Sequence, residues 1–197
     1  FTGGTTVNAG TLALAGGNGA RTAGAGTLTI NSGGTVDASA GVNNFGYVGT
    51  NPGTAIPVVI NGGLLISNND NHLNSLTMDS GTVSGGSGGS GLYMGTSNSV
   101  APTITSLASS NPAVIASNIT PVHTISIDVA DGSAATDLLI SGTITNVYSA
   151  AGGISKTGNG TLVLTATGSY TGGTTISAGT LQLGDGTSGH DGNINSS

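Results

Sequence analysis

The chain of 197 residues has no cysteine and no tryptophan, and its only fixed cations are Arg21 and Lys156. Without cysteine it cannot form the disulfide framework that many small secreted domains use. A net charge of −6 without clustered Lys and Arg is opposite to the charge pattern of a nucleic-acid-binding protein. We therefore expect neither disulfides nor a nucleic-acid partner.

Charge and long apolar runs are also scarce. Only 5% of the residues are charged, whereas 36% are hydrophobic and 37 are glycine. A disordered acidic segment would carry more charge and fewer β-branched residues. No apolar run approaches the ~18 residues of a membrane-spanning helix, so we expect an ordered chain with no membrane insertion of this segment. Because Phe1 is not an initiator methionine, we also expect the chain to be part of a longer protein.

Short β-type runs separated by tight Gly- and Asn-containing turns fill the chain. Apolar and hydroxyl residues alternate in them with a period of two, which places one face in a core and the other in water. No segment has a convincing 3.6-residue period, so we expect little or no helix. The predicted strands are Thr5–Asn8, Thr11–Leu14, Thr27–Ile30, Thr35–Asp37, Pro57–Ile60, Leu64–Ser67, Leu73–Met78, Thr82–Ser84, Thr103–Leu107, Ala113–Ala116, Thr124–Ala130, Asp137–Val147, Thr161–Leu164, Thr174–Ser177 and Thr180–Leu183.

The chain repeats itself. The stretch 1–14, FTGGTTVNAGTLAL, matches the stretch 170–183, YTGGTTISAGTLQL, at 10 of 14 positions. A shorter echo pairs Gly24–Ile30 with Gly158–Leu164. Self-similarity of this kind is typical of stacked repeat architectures, in which each unit buries its apolar face against the next.

The motifs Lys156-Thr-Gly-Asn-Gly-Thr-Leu162, Tyr170-Thr-Gly-Gly-Thr-Thr175 and Ala178-Gly-Thr-Leu181 resemble the autotransporter-associated β-strand repeat. That repeat occurs in passenger regions of bacterial autotransporters and other large surface proteins. The resemblance covers about the last fifth of the chain and the opening stretch Phe1–Leu14. It implies a right-handed parallel β-helix and an extracellular or cell-surface location, and it says little about function.

Strand lengths and turn spacing favour the same all-β fold, a parallel β-solenoid over residues 1–197, rather than a meander sandwich. At roughly 20 to 25 residues per coil we expect about eight or nine coils and a rod of about 40 Å. Open ends would leave unpaired backbone groups, which further coils or stacked copies would cover. Residues 184–197 are expected to be a tail or a link to the next module.

Residues with chemistry are few, and we predict no catalytic, cofactor-binding or metal-binding site and no enzyme activity. Asp128, Asp131 and Asp137 are the best carboxylate candidates for glycoside chemistry, but aspartates at turns and strand ends are usually solvated. Whether Asp70, Asp128 or Asp131 binds an ion stays open. We expect Asp128 to face outward from its strand.

The three histidines, His72, His123 and His190, have no partner at metal-ligand spacing, and His190 is expected to lie in a flexible tail. The run Asn68–Asn71 offers oxygen ligands without the spacing of a calcium loop. Lys156 has the residue type for an isopeptide bond, but we expect it to be a solvated lysine at a strand end.

The five further aromatic candidates are expected to pack at corners rather than to form a sugar-stacking face; they are Phe45, Tyr47, Tyr93, Tyr148 and Tyr170. Two functions remain. The chain is either a stiff structural module whose copies stack end to end, or a glycan-binding adhesin region with specificity on the loops Gly16–Gly26, Asn68–Asn71 and Gly85–Gly91.

Overall fold

A computed structural model describes residues 2–15, 25–46, 55–86, 91–95, 101–146 and 151–194. It has 19 strands and, within those ranges, no helix. The strands are β1 (Thr5–Val7), β2 (Gly10–Ala13), β3 (Leu28–Asn31), β4 (Gly34–Asp37), β5 (Val58–Asn61), β6 (Leu64–Ile66), β7 (Asn71–Leu73), β8 (Ser75–Met78), β9 (Thr82–Ser84), β10 (Leu92–Met94), β11 (Thr103–Ser106), β12 (Ala113–Ile115), β13 (Ile119–Pro121), β14 (Ile125–Val129), β15 (Leu138–Ile140), β16 (Ile154–Thr157), β17 (Thr161–Leu164), β18 (Thr174–Ile176) and β19 (Thr180–Leu183).

The strands form three parallel sheets that run along one axis, so the predicted β-solenoid is confirmed. The first sheet has the order β1-β3-β5-β8-β11-β14-β16-β18, and the second has the order β2-β4-β6-β9-β12-β15-β17-β19. The third sheet, β7-β10-β13, is continued by single bridges from Ile119 to Ile144 and from Ile144 to Gly168.

One strand of the first sheet and the following strand of the second sheet make one coil, and eight coils stack from coil 1 (β1 and β2) to coil 8 (β18 and β19). Coil length varies along the rod: the shortest turn runs between the aligned residues Val58 and Leu76, and the longest runs between Thr82 and Val114. Parallel strands lie ~4.8 Å apart, so eight coils make a rod of about 34 Å.

The core is a set of apolar rows, each built from one inward residue per coil. In the first sheet the register aligns Leu28, Val58, Leu76, Ile104, Ile127, Lys156 and Ile176. In the second it aligns Leu12, Val36, Leu65, Val83, Ile115, Ile140, Leu164 and Leu183. Alternate residues face outward, and Asp128 is exposed as predicted.

In one part of the core, the sheet that supplies the large side chains changes along the rod. The next inward row of the first sheet runs Val7, Ile30, Ile60, Met78, Ser106 and Val129, and the turn residue Gly158 lies against Val129. In the second sheet Gly10 pairs with Gly34, Gly81 lies against Gly63 at the starts of the next two strands, and Ala113, Leu138, Leu162 and Leu181 are aligned after them. A Cβ on Gly63 would lie 2.6 Å from Ile30 Cγ2. The N-terminal coils therefore fill this space from the first sheet, and the C-terminal coils fill it from the second.

Polar ladders stabilise the corners. Asn31 Nδ2 donates to Asn8 Oδ1 at 2.7 Å, and Asn61 Nδ2 donates to Asn31 Oδ1 at 3.0 Å. Each amide thus bonds to its neighbour in the adjacent coil, which is the stacking that identical side chains adopt in parallel in-register strands.

Three sequence predictions of local structure are wrong. The predicted strand Leu73–Met78 is two strands, β7 and β8, that turn at Asn74 onto different sheets. Of the predicted strand Asp137–Val147, only Leu138–Ile140 and the bridge at Ile144 are β-structure among the described residues. The strands β10, β13 and β16 were not predicted.

Candidate functional site

Lys156 occupies a core position and is the most unusual side chain of the solenoid. It lies in β16 with the burial pattern of an inward residue, in the row between Ile127 and Ile176. Its side chain is 0% exposed. The expectation of a solvated lysine at a strand end is therefore wrong.

The ammonium group of Lys156 bonds to backbone carbonyls. Nζ donates to Thr157 O at 2.8 Å, to Gly158 O at 2.8 Å and to Ala178 O at 3.2 Å. The first two carbonyls belong to coil 7 and the third to the corner of coil 8. A lysine ammonium has three donors, so these carbonyls satisfy all of them. The ammonium thereby links the last two coils from inside the core.

Two carboxylates lie against the turn at Gly158–Gly160 without bonding to the ammonium. A Cβ on Gly158 would lie 2.8 Å from Asp128 Oδ1, and a Cβ on Gly160 would lie 2.7 Å from Asp137 Oδ2. Burial lowers the pKa of Lys156, and the negative charges of Asp128 and Asp137 oppose that shift. The ammonium is thus stabilised mainly by carbonyl dipoles rather than by an ion pair.

The three aspartates named from the sequence as carboxylate candidates lie in three different environments. Asp137 is buried, and its carboxylate accepts the Gly132 N–H and the Thr161 N–H, both at 2.8 Å. Asp128 accepts the Thr157 hydroxyl at 3.0 Å, and Asp131 is exposed on a loop. Asp137 ties the turn before β15 to the start of β17, which is a structural arrangement.

The polar run Asn68–Asn71 turns toward its own chain. Asn71 is buried, and its Oδ1 accepts the Asn44 N–H at 2.9 Å. Asn69 Nδ2 donates to the Ser39 carbonyl at 2.5 Å, and Asn68 Oδ1 accepts the Gly86 N–H at 3.2 Å. These side chains hold corners of neighbouring coils together, so they are not arranged as an open oxygen-ligand loop.

The third sheet brings two aromatic rings together. The rings of His72 and Tyr93 have centroids 4.9 Å apart, and His72 Nδ1 lies 3.3 Å from Gly95 O. Burial lowers the pKa of His72. His123 lies on the other side of Gly95, where a Cβ would be 3.4 Å from His123 Cδ2. Across the described part of the chain, no group of three or more His, Cys, Asp or Glu side chains is placed to hold a metal ion.

Residues 184–194 contact the solenoid at Gly184 and at Gly192 and Asn193, whereas residues 185–191, including His190, are exposed. Gly184 N–H donates to Leu164 O at 2.7 Å, and Asn193 Oδ1 accepts the Gly168 N–H at 2.6 Å. His190 Nδ1 lies 2.8 Å from Asp185 Oδ2, which lowers the pKa of Asp185 to about 2. This segment borders a half-open cavity of about 480 Å³, lined by Ser141, Thr143, Thr165, Thr167, His190 and Asp191, with backbone and small residues between them.

The described aromatic residues are buried, although Tyr93 lies in β10 and not at a corner as predicted. Phe45 and Tyr170 are fully buried, and Tyr93 is nearly so. Tyr47 and Tyr148 lie outside the described residues, as do Arg21, most of the predicted loop Gly16–Gly26 and residues 87–90 of the loop Gly85–Gly91.

Comparison with known proteins agrees with the repeat motifs. Residues 1–14 and 154–183 match the family model of the passenger-associated-transport-repeat. Two segments of the chain are thus similar to the passenger-associated-transport-repeat, as the motifs predicted. No curated protein and no solved structure matches the chain. The described residues also contain no helix that is long and apolar enough to cross a membrane.

Proposed function

We propose that this chain is a structural, extracellular module of a bacterial surface protein, which forms a stiff stalk or fibre. The observation that carries the proposal is the pair of eight-stranded parallel sheets that run without interruption through all eight coils. Backbone hydrogen bonds along the rod axis, together with side-chain ladders such as Asn8–Asn31–Asn61, resist bending and local opening. In this role the chain has no catalytic residue and needs no cofactor, nucleic acid or membrane insertion.

Electron microscopy of the purified native protein tests the stalk. The expected particles are straight rods at least ~34 Å long, or filaments with an axial repeat of one module. Limited proteolysis is expected to leave the coils intact and to cut in connections between them. Flexible, compact or heterogeneous particles would contradict a structural stalk.

A second candidate is a glycan-binding passenger region, and the cavity beside residues 184–194 favours it. Its lining includes Ser141, Thr165 and Thr167, which carry hydroxyl groups, and Asp191, which carries a carboxylate. Hydroxyls and carboxylates are the groups that bind neutral polyhydroxylated ligands. A glycan array compares the native protein with an Asp191→Ala variant and a Ser126→Ala control on the outer face of β14. Binding that only Asp191→Ala removes supports this candidate, and an array at background eliminates it.

A further inference from the structure

Three of the four large apolar residues that remain exposed in the described ranges lie at one end of the rod, and the fourth, Leu107, lies in coil 5. In the described ranges, the exposed large hydrophobic residues are Leu107, Ile176, Leu183 and Ile194. Ile176 is 50% exposed and Leu183 is 45% exposed, although both belong to inward rows. The preceding member of the Leu183 row, Leu164, is buried. Among the described residues, no further coil covers these two inward positions of coil 8.

The other end has a matching sequence and a matching backbone. Coil 1 carries the same repeat as coil 8, with strands in the same two sheets. The corner glycines of the two repeats, Gly10 and Gly179, both have positive φ, at 74° and 66°. The chain thus turns at the same repeat position in both coils. Parallel edge strands at both ends also offer backbone groups for pairing.

The third side of the solenoid differs between the two ends. Asn193 follows Gly168 on that side, beyond coil 8, and no sheet strand follows it within the described residues. Coil 1 has both sheet strands, β1 and β2, and the described chain has no third-side segment before them. Within the described residues, one end thus carries a third-side segment that would complete a coil with the two strands of the other end.

We propose that a second copy of this chain stacks its coil 1 on coil 8, in the register that superposes the two repeats. Val7 then lies over Ile176, Leu12 over Leu181, and Leu14 over Leu183. This inference rests on the proposed stalk function and names its partner and contact surface. The contact joins two different surfaces, so it leaves both outer ends open and extends into a filament.

A second register is the alternative that the rows of the solenoid offer. Continuation of the rows within one chain aligns Thr5 with Ile176 and Leu12 with Leu183, two positions away from the repeat alignment. In that register the hydroxyl-bearing Thr5 lies over Ile176. Gly10 lies over Leu181 instead of over the corner glycine Gly179. In the repeat register the already buried Val7 and Leu14 cover the exposed Ile176 and Leu183, and the corners superpose, so this register is the favoured one.

Cysteine pairs distinguish the two registers, because the native chain has no cysteine. In the repeat register Thr6 lies next to Thr175 of the neighbouring copy, and in the row register it lies next to Ser177. Adjacent parallel strands are ~4.8 Å apart, which is within disulfide reach. The two ends of one chain are about 34 Å apart, so a disulfide can form only between copies.

The experiment oxidises the full chain carrying Thr6→Cys with Thr175→Cys, and in parallel the chain carrying Thr6→Cys with Ser177→Cys. The expected result is a ladder of disulfide-linked multimers from the first pair and at least tenfold less linkage from the second. Linkage from the second pair alone overturns the register. No linkage from either pair, with a wild-type chain that sediments as a monomer at every concentration, overturns stacking of copies.

A charge at the end coil provides an independent test. Ile176→Asp is expected to abolish multimers, whereas Leu107→Asp, an equally exposed apolar residue at 43% in coil 5, is expected to leave them unchanged. Equal multimer formation by both variants would overturn the contact. Monomeric straight rods in the microscope would refute stacking and leave the stalk function standing, whereas the absence of rods would refute both.

Discussion

Replacement of Lys156 by methionine tests whether an interior ammonium stabilises the last two coils. Methionine keeps the length and most of the volume of the side chain but removes the three donors to Thr157 O, Gly158 O and Ala178 O. A hydrogen bond to a charged group contributes about 1.5–3 kcal/mol net, so the three bonds contribute roughly 4–9 kcal/mol. Taking the ammonium out of water costs several kcal/mol, which offsets much of that gain.

The balance is decided by the carbonyls. Lys156→Met relieves the cost of burying the ammonium, but it leaves backbone oxygens in the core without these donors, at about 1–3 kcal/mol for each group that finds no other partner. We expect a net loss of about 1–3 kcal/mol in the free energy of unfolding. For a chain of this size that corresponds to a fall in Tm of roughly 2–12 °C.

Urea unfolding followed by circular dichroism measures the loss, and hydrogen exchange locates it. Exchange is expected to accelerate in coil 8, because Ala178 loses its link to coil 7, and to stay unchanged in coils 1 to 4. The matched control is Ile127→Met in the same row, an apolar exchange that costs less than about 1.5 kcal/mol. A Lys156→Met chain as stable as the wild type, with unchanged exchange in coil 8, would refute the reasoning.

Three further predictions concern other groups. Because burial lowers the pKa of His72, the folded chain binds a proton at this side chain less readily than the unfolded chain does. Stability is therefore highest above pH ~6.5 and declines below it. His72→Gln should reduce the decline in Tm between pH 7.5 and 5, and an unaltered slope would contradict this. The Asp185 carboxyl should titrate at about 2 in a carbon NMR experiment, and His190→Ala should move its pKa toward 3.8; no movement would show that His190 does not hold it. Gly81→Ala should cost at least about 1 kcal/mol, because φ is +83° and a Cβ would lie 2.7 Å from the Gly63 carbonyl oxygen; Gly173→Ala, whose Cβ would meet nothing within 4 Å, is the control and should be nearly neutral.

The fold was predictable because its signals are local. Alternation of apolar and hydroxyl residues marks the strands, and the echo between residues 1–14 and 170–183 places β1 with β18 and β2 with β19 in the same sheets. The shorter echo does not identify equivalent strands, because Leu28–Asn31 lies in the first sheet and Thr161–Leu164 lies in the second. A Gly-Thr-Leu strand start describes how a strand leaves a turn, and both sheets use it.

Site residues were harder to predict because charge and burial conflict in the sequence. The segment Ile154–Thr157 alternates in the same way as Ile125–Asp128, and this pattern places Lys156 inside, level with Ile127. We nevertheless predicted a solvated lysine because of its positive charge, since lysine is rarely buried without a carboxylate partner. Asn71 is a similar case: whether an asparagine bonds to water or to the next coil depends on which residues lie one coil away, and coil length varies too much to count them.

The change of sides between large and small core residues limits how such a chain is lengthened or shortened. In the N-terminal half, Gly63 and Gly81 of the second sheet lie against Ile30 and Ile60 of the first, and in the C-terminal half the second sheet supplies the large residues Leu138 and Leu162. Coils duplicated or deleted within one half keep complementary partners. A coil moved from one half to the other would bring two large residues, or two small ones, together in the core of neighbouring coils. Recombination and engineered insertions should therefore succeed within each half and fail across the junction at coil 5, where Ser106 faces Ala113.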